Sequence, residues 1–178
     1  MTDWVVSSKK KLFLVCPTDH MEMLIREKFH GESFFCTALG LYFELDERTQ
    51  YKLWELIAEN NIEQLLFVSR LNNIFYQQAF SDKPQYNYSV SLALAKTRRN
   101  LASQSSLKME AFPNLHRLAA QHIVNQQMRL LASSYLGNHL ITRNIEVNAC
   151  LYQASQQIFY SLSEVEQRGN LLSNISAN

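Results

Sequence analysis

The stretch Leu12-Phe13-Leu14-Val15-Cys16-Pro17-Thr18-Asp19-His20 decides the fold of this chain. Five apolar residues in succession, ended by a proline, are typical of a central strand covered on both faces. Thr18 or Asp19 can cap a following helix, in which apolar residues recur at helical spacing up to Phe29, and Gly31 lies just beyond its end. A strand followed by a helix predicts the first unit of a parallel sheet.

Two further strand-like segments follow this unit. Residues 33–39 run into Gly40, and residues 64–69 form a second buried run. Between them lies a helical stripe of Leu53, Trp54, Ile57 and Ala58. The alternation favours an α/β fold with a mostly parallel central sheet flanked by helices.

The second half of the chain is more helical. Apolar residues between Val90 and Leu101 fit a helix, although the alternation over residues 88–94 would also suit a strand. A long helix is predicted after Pro113, since apolar residues mark one face as far as Leu130. The alternation over residues 145–152 predicts a half-exposed strand, with which residues 157–161 can pair.

Length and composition predict one domain over residues 1–178, with residues 1–11 and 171–178 peripheral or frayed. Apolar residues make up 47% of the chain and charged residues 19%, so a packed core can form. Lys9, Lys10 and Lys11 are interpreted as a solvated lead-in to the first strand.

The charge balance excludes some classes of partner. Seventeen basic and sixteen acidic residues give a net charge of +1, which gives no electrostatic case for binding nucleic acid or an anionic membrane. The apolar run before Pro17 is too short to span a bilayer. Three scattered cysteines, Cys16, Cys36 and Cys150, make no disulfide framework and favour a reducing cytoplasm.

The order of elements and three short motifs resemble the β-carbonic anhydrases. That family carries Cys-x-Asp-Ser-Arg after its first strand, Arg-Asn-Ala-Gly at the end of its second, and Gly-His-x-x-Cys at the end of its third. The corresponding segments here are residues 14–20 (LVCPTDH), 31–40 (GESFFCTALG) and 67–73 (FVSRLNN). Residues 114–131 and 144–152 resemble the family's closing helix and final strand. The resemblance covers most of residues 12–162 and implies a β-carbonic anhydrase-like fold.

The resemblance also assigns positions to the family's zinc ligands. The two cysteines and the histidine correspond to Cys16, Asn73 and Arg70. Only Cys16 can bind zinc, because a guanidinium offers no lone pair and an amide is a poor ligand for zinc. The family's Asp, Ser and Arg fall on Thr18, Asp19 and His20, with an alternative alignment slipped by one residue, since the interval from Cys16 to Gly31 is one residue shorter than the family's pattern. We therefore expect no zinc, no other cofactor and no hydration of carbon dioxide.

Two chemical alternatives remain at the first strand end. Cys16, Cys36, His20 and His30 are sufficient in type for a zinc site, although their spacing matches no known ligand pattern. Cys16 could instead act as a nucleophile, with Asp19 or His20 as its acid–base partner. His122, on an apolar helix face, is interpreted as a hydrogen-bonded core histidine.

The sequence thus favours a non-catalytic binding or interaction module that uses the former active-site cleft, where a small anion or small molecule could bind. We predict that the cleft is lined by Cys16, Thr18, Asp19, His20, Thr37, Ala38, Gly40, Arg70 and Asn73. In it, Arg70 would pair with Asp19 and take the electrostatic place of the metal. The resemblance further implies a homodimer formed through the second-strand region, where Phe34, Phe35, Tyr42 and Phe43 would supply apolar surface.

Overall fold

The structure is a computed structural model that describes residues 7–81, 88–104 and 111–162. Its strands are β1 (Lys11–Val15), β2 (Ser33–Thr37), β3 (Gln64–Arg70), β4 (Glu146–Gln153) and β5 (Ile158–Ser161). Its helices are α1 (Glu22–Lys28), α2 (Glu47–Glu59), α3 (Ile74–Gln78), α4 (Tyr88–Gln104), α5 (Ala111–Leu131) and α6 (Leu136–Thr142), with 3₁₀ turns at Pro17–Asp19 and Leu39–Leu41.

The five strands form one sheet in the order β2-β1-β3-β4-β5. The first four strands are parallel, and only β5 runs antiparallel to β4. This confirms the predicted α/β fold with a mostly parallel sheet, including the pairing of the last two strands. Because β1, β2 and β3 are parallel, their carboxyl ends meet at one edge of the sheet.

Strand β1 is buried on both faces, as its continuous apolar sequence predicted. Leu12 and Leu14 point into a core formed with five of the helices, α2 to α6. Phe13 and Val15 point to the opposite face, where α1 contributes Ile25 to a second, smaller core. Alternate residues of one strand therefore serve two hydrophobic layers, which places helices on both sides of the sheet.

The interpretation of Lys9, Lys10 and Lys11 as a solvated lead-in to the first strand is wrong for Lys11. This residue begins β1 and is fully buried, because its ammonium group donates to the backbone carbonyls of Ser7, Lys9 and His30. Burial and the neighbouring charge of Lys9 lower the pKa of Lys11. The chain before β1 thus folds over the strand's amino end, and carbonyl oxygens solvate the buried cation.

Other boundaries also differ from the prediction. Residues 88–104 form a helix, so the alternative of a strand over residues 88–94 is wrong. Helix α5 begins at Ala111, before Pro113 rather than after it. Strand β4 is buried over its last part, with Cys150 and Tyr152 at most 5% exposed, because α1 and β5 cover the face that we expected to be exposed. The predicted frayed residues 171–178 lie outside the described residues.

Candidate functional site

The candidate site lies where β1, β2 and β3 end together. Val15 pairs with Thr37 on one side and with Val68 on the other. The residues that follow these positions therefore share one edge of the sheet, which is where ligands bind in open α/β folds. The two 3₁₀ turns are short enough to keep the chain at this edge.

Cys16 lies at the centre of the edge and is fully buried. The backbone N–H of Gly40 donates to its Sγ at 3.1 Å, and Thr18 Oγ1 lies 3.1 Å from the same atom. A nucleophilic cysteine needs an approach for the substrate and a base within hydrogen-bond reach. Both of these contacts are with groups that are not bases, so the arrangement favours a structural thiol.

Asp19 is the most highly coordinated polar group of the site. Its carboxylate is 2% exposed, and it accepts hydrogen bonds from Ser69 Oγ at 2.9 Å, the Arg70 backbone N–H at 3.0 Å and Asn73 Nδ2 at 2.7 Å. The prediction that Thr18 or Asp19 caps α1 is wrong, since Met21 occupies that position without a side-chain bond. The carboxylate instead joins the turn after β1 to the end of β3.

Two opposing effects act on the ionisation of Asp19. Burial raises the pKa of this carboxyl group above its usual range, because the low-dielectric interior disfavours the charge. The hydrogen bonds from Arg70, Ser69 and Asn73 lower it and only partly offset the burial. An acidic group with a raised pKa can act as a proton donor, but this one faces three donors that need an acceptor.

Asn73 has a structural part in the same network. While its Nδ2 donates to Asp19, its Oδ1 accepts the backbone N–H of Phe75 at 2.8 Å and caps helix α3. Both ends of the amide are therefore engaged by the protein. The predicted cleft members Cys16, Asp19, Gly40 and Asn73 are brought together in this way.

The prediction that the Arg70 guanidinium pairs with Asp19 is wrong. Arg70 Nε donates to Met21 Sδ at 3.4 Å, and its guanidinium carbon lies 6.0 Å from the ring centre of Tyr152. In the described segments, the ion pairs join lysines to glutamates and leave Arg70 out. Only the backbone N–H of Arg70 hydrogen-bonds to Asp19, while the guanidinium lowers the pKa of the carboxyl group through its charge, without a direct bond.

We therefore expect Arg70→Ala to lower the free energy of unfolding by no more than about 1 kcal/mol, since the N–H that supports Asp19 remains. Urea denaturation measures this value. Arg26→Ala is a matched control, because Arg26 also places its guanidinium over a ring, at 4.9 Å from the centre of Phe35. A loss of about 3 kcal/mol at Arg70 alone would show that its charge supports Asp19 after all.

Other predicted site residues lie on the outside. Thr18, Thr37 and His20 are exposed, and His20 adopts a left-handed conformation with φ of 49°. Ala38 is half-buried, and its N–H donates to the Val15 carbonyl at 3.1 Å.

The alternative metal site is not assembled. Across the ranges that the structure describes, three or more His, Cys, Asp or Glu side chains nowhere form a group that could hold a metal. Cys36 lies on β2 opposite Leu14, and burial raises the pKa of its thiol. The set of Cys16, Cys36, His20 and His30 therefore provides no coordination sphere.

Sequence reasoning missed two residues of the site, Ser69 and Tyr76, whereas the interpretation of His122 as a hydrogen-bonded core histidine is confirmed. Tyr76 is fully buried and donates from its hydroxyl to Ser69 Oγ at 3.1 Å, which extends the network of Asp19. His122 Nε2 lies 2.9 Å from the carbonyl oxygen of Gly40. Burial lowers the pKa of His122 to about 4, so the ring is neutral at pH 7 and Nε2–H is the donor. The signal available in the sequence was Ser69 itself, because a polar residue directly after an apolar run indicates a polar strand end.

Comparison with known proteins finds solved structures of similar fold. No sequence-family model and no curated protein matches the chain. Solved structures do match, with a TM-score of 0.72 to a tetrameric β-carbonic anhydrase of the ascomycete Sordaria macrospora, over 88% of this chain and 81% of that one at 15% identity. The β-carbonic anhydrase CafD of Aspergillus fumigatus matches with a TM-score of 0.73 at 14% identity, over 90% of this chain and 94% of that one.

A third match is the Coccomyxa β-carbonic anhydrase in complex with acetazolamide, with a TM-score of 0.67, coverage of 94% and 84%, and 12% identity. Identities this low are informative about architecture rather than chemistry. The strand order, the crossover helices and these three likenesses lead to one conclusion: the chain has the fold of the β-carbonic anhydrases.

Proposed function

We propose that this protein is a non-catalytic, metal-free protein of the β-carbonic anhydrase fold, which acts as a binding or interaction module through the former active-site cleft. The observation that carries the proposal is the double engagement of Asn73. It stands at the position of the family's second cysteine ligand, and both ends of its amide are bonded to Asp19 and Phe75. A side chain committed in this way supports the fold of the cleft instead of a metal.

The donor set does not fit zinc. A structural or catalytic zinc site needs three or four lone pairs from Cys, His or carboxylate groups. Cys16 offers one, whereas Arg70 offers none and directs its Nε to Met21. The carboxylate of Asp19 already accepts three hydrogen bonds from the protein.

We expect purified protein to contain well below one zinc per chain and to leave the hydration of carbon dioxide at its uncatalysed rate, since no metal would activate a water. Elemental analysis and a stopped-flow hydration assay measure both quantities. The double variant Arg70→His with Asn73→Cys restores the family's ligand types beside Cys16 and is the positive control for zinc uptake. About one chelatable zinc per wild-type chain would contradict the proposal.

The exposed rim of the cleft is where a partner or small anion would make contact. Thr18, His20 and Thr37 are exposed there, and the Arg70 guanidinium is partly exposed. These groups offer hydrogen bonds and one cation. The residues beneath them, Cys16, Asp19 and Asn73, are held by hydrogen bonds within the protein. A rigid, polar strand edge of this kind suits recognition better than proton transfer.

The second-strand region supports self-association. Strand β2 is an edge strand of the sheet, and Phe34, Phe35 and Tyr42 are half-buried in the single chain. Phe43 does not contribute as predicted, because it is 5% exposed and packs against Phe67 with ring centres 6.0 Å apart. The tetrameric Sordaria enzyme has the same fold as this chain.

We expect light scattering to give twice the monomer mass across a wide range of concentration, because apolar edge surface is buried most readily against a second copy. Glu32→Gln, which changes an exposed charge next to β2, should leave this mass unchanged. A mass that stays at one chain at every concentration would rule the homodimer out.

The expected location is a reducing cytoplasm. All three cysteines are free, and two of them are buried. None of the helices in the described ranges is long and apolar enough to cross a membrane.

A further inference from the structure

A cavity of about 680 Å³ opens between helices α4 and α5, next to the 3₁₀ turn that contains Gly40. Its wall includes Lys96, Arg129 and His122 together with several neutral polar and apolar side chains. The volume is in the range of pockets that hold small organic molecules. The cavity is distinct from the cleft at the strand ends, since Cys16, Asp19 and Arg70 do not line it.

His122 lies in the wall of this cavity and carries an unused acceptor. The ring is fully buried, its Nε2–H donates to the Gly40 carbonyl, and its Nδ1 has no hydrogen-bond partner among the residues that the structure describes. A neutral imidazole that donates from Nε2 presents a lone pair at Nδ1. Leaving such an atom unpaired in the interior costs free energy, which a ligand with an O–H or N–H group would recover.

The charges in the cavity wall all have one sign. Lys96 and Arg129 are its charged residues among those the structure describes, and Asp and Glu are not part of that wall. Arg129 is held in place, because its guanidinium carbon lies 4.7 Å from the ring centre of Tyr42 and its Nη1 donates to Gln126 Oε1 at 3.0 Å. A fixed guanidinium with unused donors recognises a carboxylate or phosphate.

Two large apolar residues of the cavity wall are exposed to solvent. Leu92 is 50% exposed and Met128 is 61% exposed, which is unusual for such large side chains. Both line the cavity together with the ring of Tyr42. A ligand with a hydrophobic body would cover them while its anionic end reaches the two cations.

We propose that this cavity binds a small organic anion that carries an O–H donor next to its anionic group and an apolar body. The two cations hold the anionic group, the Nδ1 atom of His122 accepts the O–H, and Leu92 and Met128 cover the body. The site does not rest on the absence of zinc, so either conclusion can fail without the other.

Phenyl phosphate and phenyl sulfate test the acceptor role of His122. At about pH 5, phenyl phosphate is mostly a monoanion with one O–H, because the second pKa of a phosphate monoester is about 6. Phenyl sulfate has the same charge and body but no O–H. His122 is still mostly neutral at that pH. Calorimetry should show that phenyl phosphate binds at least about fivefold more tightly, which is the effect of one hydrogen bond.

Charge variants test the cationic end. Arg129→Ala and Lys96→Ala should each weaken both probes about tenfold, since each removes a charge-assisted contact. Arg99→Ala is the matched control, because Arg99 is exposed on the same helix as Lys96 and does not line the cavity. His122→Phe should keep the binding of phenyl sulfate and lose the preference for phenyl phosphate.

Three results would overturn the proposal. One is the absence of binding of either probe at millimolar concentration. Another is equal affinity of the wild-type protein for the two probes, which needs no variant and so remains decisive if His122→Phe does not fold. The third is an unchanged affinity in Arg129→Ala and Lys96→Ala together with a changed oligomeric mass of these variants. That result would show that the cavity is a contact surface between copies of the chain.

Discussion

Replacing Asp19 by alanine should lower the free energy of unfolding by about 3 kcal/mol or more. The substitution leaves the donors of Ser69, Arg70 and Asn73 without their common acceptor inside the protein, and a stranded buried donor costs about 1–3 kcal/mol. Chemical denaturation followed by circular dichroism measures the change. Glu27→Ala, an exposed acidic residue on α1, should change stability by no more than about 0.5 kcal/mol.

Asp19→Asn is the sharper variant, because it keeps the shape of the side chain. Its carbonyl can accept from Ser69 and Arg70, but its amide then faces the Nδ2 of Asn73, and two donors cannot pair. Asn73 cannot turn around without losing the bond from Phe75 N–H. The reciprocal double variant, Asp19→Asn with Asn73→Asp, should recover part of the loss. No recovery, together with a small loss in Asp19→Ala, would show that the network contributes little.

The same carboxyl group predicts a dependence of stability on pH. Burial raises the pKa of Asp19 in the folded protein above the unfolded value of about 3.8. As pH rises from the unfolded pKa towards the raised folded pKa, the unfolded chain loses the proton first and is stabilised relative to the folded state. The stability of the wild-type protein relative to Asp19→Asn should therefore fall as pH rises above about 4, and then stay constant once Asp19 ionises in the fold. A difference that grows with pH would contradict the raised pKa.

Replacing Gly40 by alanine should cost about 3 kcal/mol. Gly40 has φ of +58°, which strains a residue with a side chain, and an added Cβ would lie 2.5 Å from Val90 Cγ1 and 3.1 Å from Phe75 Cγ. Both neighbours are buried, so neither can move into solvent. A backbone shift here would also disturb the two hydrogen bonds that Gly40 makes with Cys16 and His122.

Thermal and urea unfolding of Gly40→Ala measure the effect, and the double variant with Val90→Ala separates its two causes. Removing the Val90 methyl groups should relieve the clash but not the positive φ, so the double variant should be more stable than the sum of the two single losses predicts. A loss below about 0.5 kcal/mol in Gly40→Ala would show that the turn accommodates the added methyl group.

Local patterns were sufficient for the elements of the sheet. The apolar run that begins at Leu12 predicted a strand buried on both faces, because only a central strand can cover every residue of such a run. The alternation of apolar and polar residues over 145–152 and the segment 157–161 predicted two paired strands, and the structure contains both. The order of the motifs along the chain also predicted the β-carbonic anhydrase-like fold.

The contacts within the site could not be predicted in this way. Asp19 has the sequence position of a helix cap, but it bonds to residues more than fifty positions away, at the end of β3 and at the N-cap of α3. Arg70 was expected to use its side chain and uses its backbone instead, because the direction of an N–H at a strand end depends on the register of the whole sheet. His122 and Gly40 are 82 residues apart, so the spacing of their residue types carries no signal of the bond between them.

The sequence alone determined the class of fold and the buried central strand, since hydrophobic periodicity is a local property. Tertiary structure alone decided that Asp19, Ser69, Asn73 and Tyr76 form one hydrogen-bonded network, that Lys11 is solvated by carbonyl oxygens, and that His122 keeps a free nitrogen beside a cavity. The physical reason is that a buried polar group must find its partner in three dimensions, and the chain brings that partner from any distance along the sequence.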